Sequence, residues 1–389
     1  MSGNLKIAVN TRLLLPQRME GIARFIHEIS SRLVSNHPEV EFHFLFDRPY
    51  DDRFIYSDNV IPHVLFPPSR HPILWYWWFE YSVNRFLKKN DIDVFFSGDM
   101  YLSLKSKIPC LYVSHDLNYI HYPQGLRYSH QLFLQSFFPR YHRKADHIIT
   151  VSEFSKSDIV QQYAISPDKI SVAYNDVPSG FRKFNSEEIQ SVRDRFSSSV
   201  PFFIYVGSLH PRKNLERLLR AFDKFKTENA LPHKLLVYGR KAFKTGTIFS
   251  TYDTMQTKSE VVFVDQDQCS VPEILPAAEA LIYPSLFEGF GIPILEAFHS
   301  GIPVITSNVS SMPEVAGNAA LLVEPESIES ISQAMHTILQ PELRQRLLAE
   351  AEKQKKQFDW NRSAQLVWGE LFKLSKPVGE VKFLTICTL

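Results

Sequence analysis

Apolar residues recur along this chain in two alternating rhythms. Short runs rich in β-branched and aromatic residues, at 5–9, 41–46, 94–96, 110–114, 147–151 and 170–174, read as strands. Stretches with helical spacing lie among them: Ile22, Phe25, Ile26 and Ile29 after Gly21, the segment 131–144, and a helix begun by Ser152 as its cap. Strand, loop and helix in alternation predict an α/β half of Rossmann-like type, with ligands gathering at the carboxyl ends of parallel strands. The rhythm restarts after a boundary placed between Val177 and Asn185. Strands are expected at 202–206, 234–238, 261–264, 280–283 and 302–306. Leu215, Leu218, Leu219 and Phe222 mark one helix, 273–280 a short one, and Ser310 starts another. Further helices are expected at 328–339, 343–357 and 364–374. The chain therefore divides into 1–180, 181–361, a final helix at 362–375 and a tail at 376–389.

One stretch concentrates the candidate chemistry. After the strand at 280–283 comes Pro284, a loop holding Glu288, Gly289, Phe290 and Gly291, and then a helix opened by Pro293 and closed by Gly301. The free amides and positive dipole end of such a helix make an anion site suited to phosphate. Glu288 and Glu296 bracket it, and carboxylates there are expected to accept hydrogen bonds from sugar hydroxyls. A second signal follows the strand at 202–206, where Gly207-Ser208-Leu-His-Pro-Arg212-Lys213-Asn leads into a helix. Two cations before a helix amino end are disfavoured by its dipole unless they serve a bound anion. His115-Asp116, at the end of the strand 110–114, is a candidate reaction centre, the acid being placed to orient the imidazole.

Two other features have plain readings. Asp91-Ile-Asp93 has the look of a metal-binding pair, but its place between a helix and a strand favours a turn, and no metal is expected. Residues 73–87 carry Trp75, Trp77, Trp78, Phe79, Tyr81 and Phe86. A buried helix with a large aromatic payload is expected in preference to an interfacial one, because the polar face is thin.

Composition narrows the class. With 389 residues, 44% hydrophobic and 22% charged, the chain is long enough for two globular domains. A formal charge of +1 gives no basic arm for nucleic acid. The 3 cysteines (Cys110, Cys269, Cys387) lack disulfide or zinc spacing. No secretory leader or apolar run of spanning length is evident, so a cytoplasmic setting is expected, peripheral to the inner face of the plasma membrane if membrane-bound.

The string Tyr283-Pro-Ser-Leu-Phe-Glu288-Gly-Phe-Gly-Ile-Pro-Ile-Leu-Glu296-Ala resembles the retaining glycosyltransferases of family 4, which have the GT-B fold. The likeness runs from about residue 5 to 374. It implies two Rossmann-like domains with parallel sheets and a cleft between them, the first binding acceptor and the second a nucleotide-sugar, with the last helix crossing back to the first. In that family Arg212 and Lys213 would neutralise the donor diphosphate, with Gly21, Gly207, Ser208, Gly239 and the amides from Gly289 to Ile292 beside the donor. Glu296 would hold the ribose, Glu288 the hydroxyls of the transferred sugar, and His115 would face that sugar. Asp116 and Asn175 would lie near sugar or acceptor. Glu20 stands where the family often has a first glycine. The Arg-Lys-Asn loop and the Asn10-Thr-Arg start resemble members that build bacterial surface polysaccharides with mannose. The resemblance thus implies a metal-independent hexosyltransferase, with GDP-mannose as preferred donor and a glycan or lipid-linked glycan as acceptor. A nucleotide-sugar epimerase or hydrolase of the same fold, and a non-catalytic two-domain sugar-binding protein, are the competing readings.

Overall fold

A computed structural model describes residues 4–16, 19, 21–126, 128–228, 230–240 and 246–375. The expected tail at 376–389 and Glu20 lie outside the described residues. In the first half, β1 (Lys6–Asn10), β2 (Glu41–Phe46), β3 (Val60–Val64), β4 (Val94–Ser97), β5 (Cys110–Val113), β6 (His147–Thr150) and β7 (Ile170–Val172) form one sheet, ordered β3-β2-β1-β4-β5-β6-β7. The second holds β8 (Phe202–Val206), β9 (Lys234–Tyr238), β10 (Val261–Val264), β11 (Ala280–Tyr283), β12 (Val304–Ser307) and β13 (Ala320–Val323), ordered β10-β9-β8-β11-β12-β13. The pairings of both sheets are parallel. The order reverses direction beside β1 and β8, and in doubly wound sheets that reversal opens a crevice at the strand ends.

Seven helices frame the cleft and the outer face of the first sheet: α1 (Ile22–Asn36), α2 (Tyr128–Lys144), α3 (Glu153–Tyr163), α4 (Leu215–Glu228), α5 (Ile292–Ser300), α6 (Met312–Ala316) and α7 (Trp360–Ser375). α7 belongs spatially to the first sheet. Its Trp368 ring stacks on His37 at 3.5 Å, Ser363 Oγ donates to the Tyr174 carbonyl at 2.6 Å, and Trp360 lies edge-on to Phe25 of α1.

Several elements depart from the sequence expectation. β3 and β13 were not foreseen. β3 carries Pro62, which is tolerated because the strand is a sheet edge. Helices at Ser186–Phe196 and Gly246–Thr254 were missed too. The helix expected at 273–280 is shorter, Val271–Ile274 followed by the turn Leu275–Ala277, because Pro276 and the start of β11 end it. The aromatic stretch is helical as Pro72–Trp77, a π turn Trp78–Val83, and Asn84–Lys89. Its burial is mixed: Trp78, Phe79, Val83 and Leu87 are in the core, whereas Ile73, Trp77 and Tyr81 are exposed. Asp91 sits in the turn before β4 at φ +51°, and the Asp93 carboxylate accepts from the Lys6 amide at 2.8 Å. Cys110 and Cys269 are buried and not disulfide-bonded.

Candidate functional site

The site is built where the end of β8, the end of β11 and the end of β5 converge. Beyond β8 the chain makes a tight turn, Pro211–Lys213, in which His210 Nδ1 accepts from the Arg212 amide at 3.2 Å. Asn214 then takes a left-handed conformation at φ 61° and opens α4. Its buried amide donates to the carbonyls of Pro284 (2.9 Å) and Pro325 (2.7 Å), tying this turn to the end of β11. Arg212 and Lys213 are thereby aimed at the loop before α5.

There they meet Glu288. Arg212 Nη1 stands 2.8 Å from Glu288 Oε2, and Lys213 Nζ stands 2.6 Å from Oε1 and 2.6 Å from the Tyr283 hydroxyl. The Arg212 guanidinium also donates to the Phe287 carbonyl. Burial opposes the charge on Glu288, but Arg212 and Lys213 outweigh it and hold its carboxyl down at about 2. Burial likewise opposes the charge on Arg212, which Glu288 more than offsets, whereas burial lowers Lys213 despite the same partner. The sequence suggested cations waiting for an anion and a carboxylate with a separate task. The structure joins them in one cluster, with Glu288 in the place where an anion would be held.

The loop is braced from below by Ser310 and Ser311, which the sequence marked only as the start of a helix. Ser310 Oγ accepts from the Glu288 amide at 3.1 Å, and Ser311 Oγ donates to the carbonyls of Glu288 (2.9 Å) and Phe290 (2.8 Å). Gly291, at φ 109°, turns the chain into α5, whose Pro293 falls in the first turn and whose end is Gly301 at φ 70°. Pro293 has no N–H and the Ile294 amide donates to the Gly291 carbonyl at 3.0 Å, so the candidate donors at this helix end are the amides of the loop from Gly289 to Ile292. Glu296 lies in the second turn. Burial raises its carboxyl to about 7, with the charges of Arg24 on α1 and of Lys213 pulling the other way.

From the first domain, His115 closes the arrangement. It is buried against Phe25, and its Nε2 lies 2.9 Å from the Gly98 carbonyl. Burial lowers its pKa, so the neutral ring donates its Nε2 proton to that carbonyl near neutral pH. The acid expected to orient it does not: Asp116 Oδ1 instead accepts from the Asn118 amide at 3.0 Å. Gly289 has a reason beyond the turn. A Cβ there would come 2.2 Å from the His115 carbonyl oxygen and 2.8 Å from Asp116 Cβ. Its own carbonyl accepts from Ser152 Oγ (2.7 Å) and Ser155 Oγ (3.2 Å), while Glu314 of α6 accepts from the Glu153 and Phe154 amides at the start of α3.

The remaining candidates are spread around this centre. Gly21 is the first residue before α1 at φ 46°, with open space where its Cβ would be. Gly207 and Gly239 touch backbone to backbone, since a Cβ on Gly239 would lie 1.8 Å from the Gly207 carbonyl oxygen. The Ser208 carbonyl accepts from the Tyr205 hydroxyl at 2.9 Å, so these residues support the β8 turn. Asn175 is buried just beyond β7. No group of three or more His, Cys, Asp or Glu able to hold a metal occurs among the described residues.

Residues 19–179 match a family described as Glycosyltransferase Family 4, and residues 186–355 one described as Glycosyl transferases group 1. Among curated relatives, O-antigen chain mannosyltransferase B of Escherichia coli is 28% identical over 55% of this chain and 57% of its own length. The O-antigen chain mannosyltransferase RfbU of Salmonella typhimurium is 26% identical over 75% of this chain and 79% of its own. The chain thus spans little more than half of the first and about four-fifths of the second. The fold matches that of Anabaena HepE, solved in complex with UDP-glucose, with a TM-score of 0.73 at 16% identity, covering 95% of this chain and 100% of that one.

Proposed function

Because this chain belongs to the family 4 glycosyltransferases and has the GT-B fold, we propose that it moves a hexose, mannose by preference, from a nucleotide diphosphate donor to a glycan or lipid-linked glycan. The observation that carries the reading is the Arg212–Lys213–Glu288 cluster beside the amino end of α5. As the bond from the sugar's anomeric carbon to the diphosphate breaks, its electron pair stays with phosphate oxygen. Arg212, Lys213 and the amides from Gly289 to Ile292 are the groups available to stabilise that charge. One preorganised donor of this kind contributes about 2.7–4 kcal/mol in the transition state. Glu288, released from the cations as the diphosphate takes its place, would accept from hydroxyls of the transferred sugar, and Glu296 from those of the ribose.

Retention of configuration and independence of metal are part of the same reading. The leaving phosphate can itself accept the acceptor's proton, so no separate protein base is required, and two cations with a helix end do the neutralising work of a metal. GDP-mannose is the preferred donor, in keeping with the two O-antigen mannosyltransferase relatives. UDP-sugars are the comparison class suggested by the HepE complex. A site at the cytoplasmic face of the membrane would suit a lipid-linked acceptor.

Thermal unfolding with GDP, UDP and their sugar conjugates, followed by a transfer assay with the one that binds, tests this. A ligand at 100 times its Kd should stabilise the protein by about 2.7 kcal/mol. Lys213→Ala should lower kcat about 10²–10³-fold. Glu288→Gln should weaken discrimination among sugars more than affinity for the bare nucleotide. Hydrolysis or epimerisation of the donor without transfer would favour the other GT-B enzymes, and absence of any nucleotide shift would overturn the reading.

A further inference from the structure

Two helices on one face of the first sheet lie side by side: the stretch Pro72–Trp77 with its continuations, and α2. Both connect parallel strands, so both run antiparallel to them and begin at the cleft end of the domain. Each presents an exposed ridge. On the first, Ile73, Trp77 and Tyr81 are 64%, 50% and 43% exposed, the Trp77 and Tyr81 rings stack at 4.5 Å, and exposed Arg85, Lys88 and Lys89 follow. On the second, Tyr128 and Leu132 are exposed and Arg140 follows two turns later. Both ridges end in cations at the far end, and at the cleft end of the first the exposed Arg70 and His71 precede Ile73.

Between them runs a groove of about 900 Å³ floored by Tyr76, Phe133 and Phe137. It leads into a hollow of about 700 Å³ lined by Arg85, Lys88, Lys89 and Lys105. Lys105 Nζ stands where the two meet, 4.0 Å from the Tyr81 ring centroid. Glu80, the acid shared by both, is engaged: its carboxylate accepts from the Leu104 and Lys105 amides and from Ser103 Oγ. The cations of the hollow therefore face outward without a competing carboxylate from that residue.

We propose that this face docks on a bilayer carrying anionic phospholipid, with the Ile73–Trp77–Tyr81 ridge sunk to the acyl boundary and headgroup phosphate in the cationic hollow. Exposed aromatic rings beside clustered Lys and Arg have the chemistry of an interfacial surface. The larger cation cluster, Arg85, Lys88, Lys89 and Lys105, lies at the far end, which favours a bilayer across this face over a lipid-linked acceptor along the groove. Such a molecule, with its sugar in the cleft, would lay its apolar chain over that cluster. This deepens the membrane part of the proposed function, but vesicle binding is read without donor or acceptor, so the two can fail separately.

The full chain would be sedimented with vesicles of phosphatidylcholine alone and with added phosphatidylglycerol. Binding is expected only with the anionic lipid and should weaken as salt rises. Arg85→Glu with Lys88→Glu and Lys89→Glu should reduce it about a hundredfold or more. Ile73→Ser with Trp77→Ser should reduce it at least about tenfold, and neither variant should change the stabilisation by nucleotide-sugar. If the Trp77 variant fails to fold, the exposed-cation variant carries the test alone. Equal binding to neutral vesicles, no binding of the unaltered chain, or binding indifferent to the cation variant would overturn the proposal. So would a dimer that dissociates in the Trp77 variant, which would assign the face to a second copy.

Discussion

Glu288 and Glu296 are the same residue type, eight positions apart, and the fold gives them opposite titration behaviour. Glu288, between two cations, is held down at about 2, while Glu296, half-buried with its nearest cations acting only at a distance, is raised to about 7. Because the carboxyl of Glu296 is raised, ionising it costs the free protein stability as pH rises from its usual range through about 7, and in the proposed complex a ribose hydroxyl donating to the ionised form would recover part of that cost. Nucleotide affinity should therefore rise about tenfold between pH 6 and pH 8. Titration calorimetry across that range checks this, and Glu296→Gln should bind more weakly with the slope removed. A slope that persists in the glutamine variant would place the titrating group elsewhere.

At the scale of elements, the loop from Ser285 to Gly291 is both the proposed ligand loop and a contact between domains. Gly289 packs on the His115 backbone so closely that Gly289→Ala is expected to hold the two sheets apart. The variant should keep its far-ultraviolet circular dichroism while losing most transfer activity. Wild-type activity would mean that the contact is not part of the working state. This double duty explains why only part of the site is legible in the sequence. The glycine loop, Pro293 and Gly301 follow from local backbone rules, and Gly301 stands where those rules put it, while the helix starts at Ile292, one residue before the expected Pro293. Asn214, Ser310, Ser311 and Glu314 act on partners 21 to 161 residues distant, and no local pattern marks such contacts. His115 was legible as a strand-end residue, but its tether to Gly98 rather than Asp116 depends on how β4 and β5 pair. The edge strands β3 and β13 escaped notice for a related reason. They are short, one holds a proline, and pairing rather than propensity makes them strands.

At the scale of the whole molecule, polar contacts span the cleft beside the stack of Phe287 on His121. They include serine hydroxyls on the Gly289 carbonyl, Glu314 on the amides that start α3, and the Tyr122 hydroxyl on the Leu286 carbonyl at 3.3 Å. Polar contacts of this sort are worth about 0.5–1.5 kcal/mol net each, which suits a closure that must also open. Glu314→Gln should shift the unliganded protein toward a larger radius of gyration in small-angle scattering, with saturating nucleotide reversing the change. An unchanged radius with and without nucleotide would show that Glu314 does not govern closure.

The return of α7 to the first sheet has a mechanical consequence. The polypeptide crosses between the two lobes twice, once after β7 and again just before Trp360. A single tether would let one lobe swivel and twist freely about the other. Two tethers define a line, and the remaining easy motion is rotation about it. Under the proposed function, donor capture on one side and acceptor positioning on the other would thereby be geared together: the angle that brings His115 to the sugar would be the same angle that shuts water out.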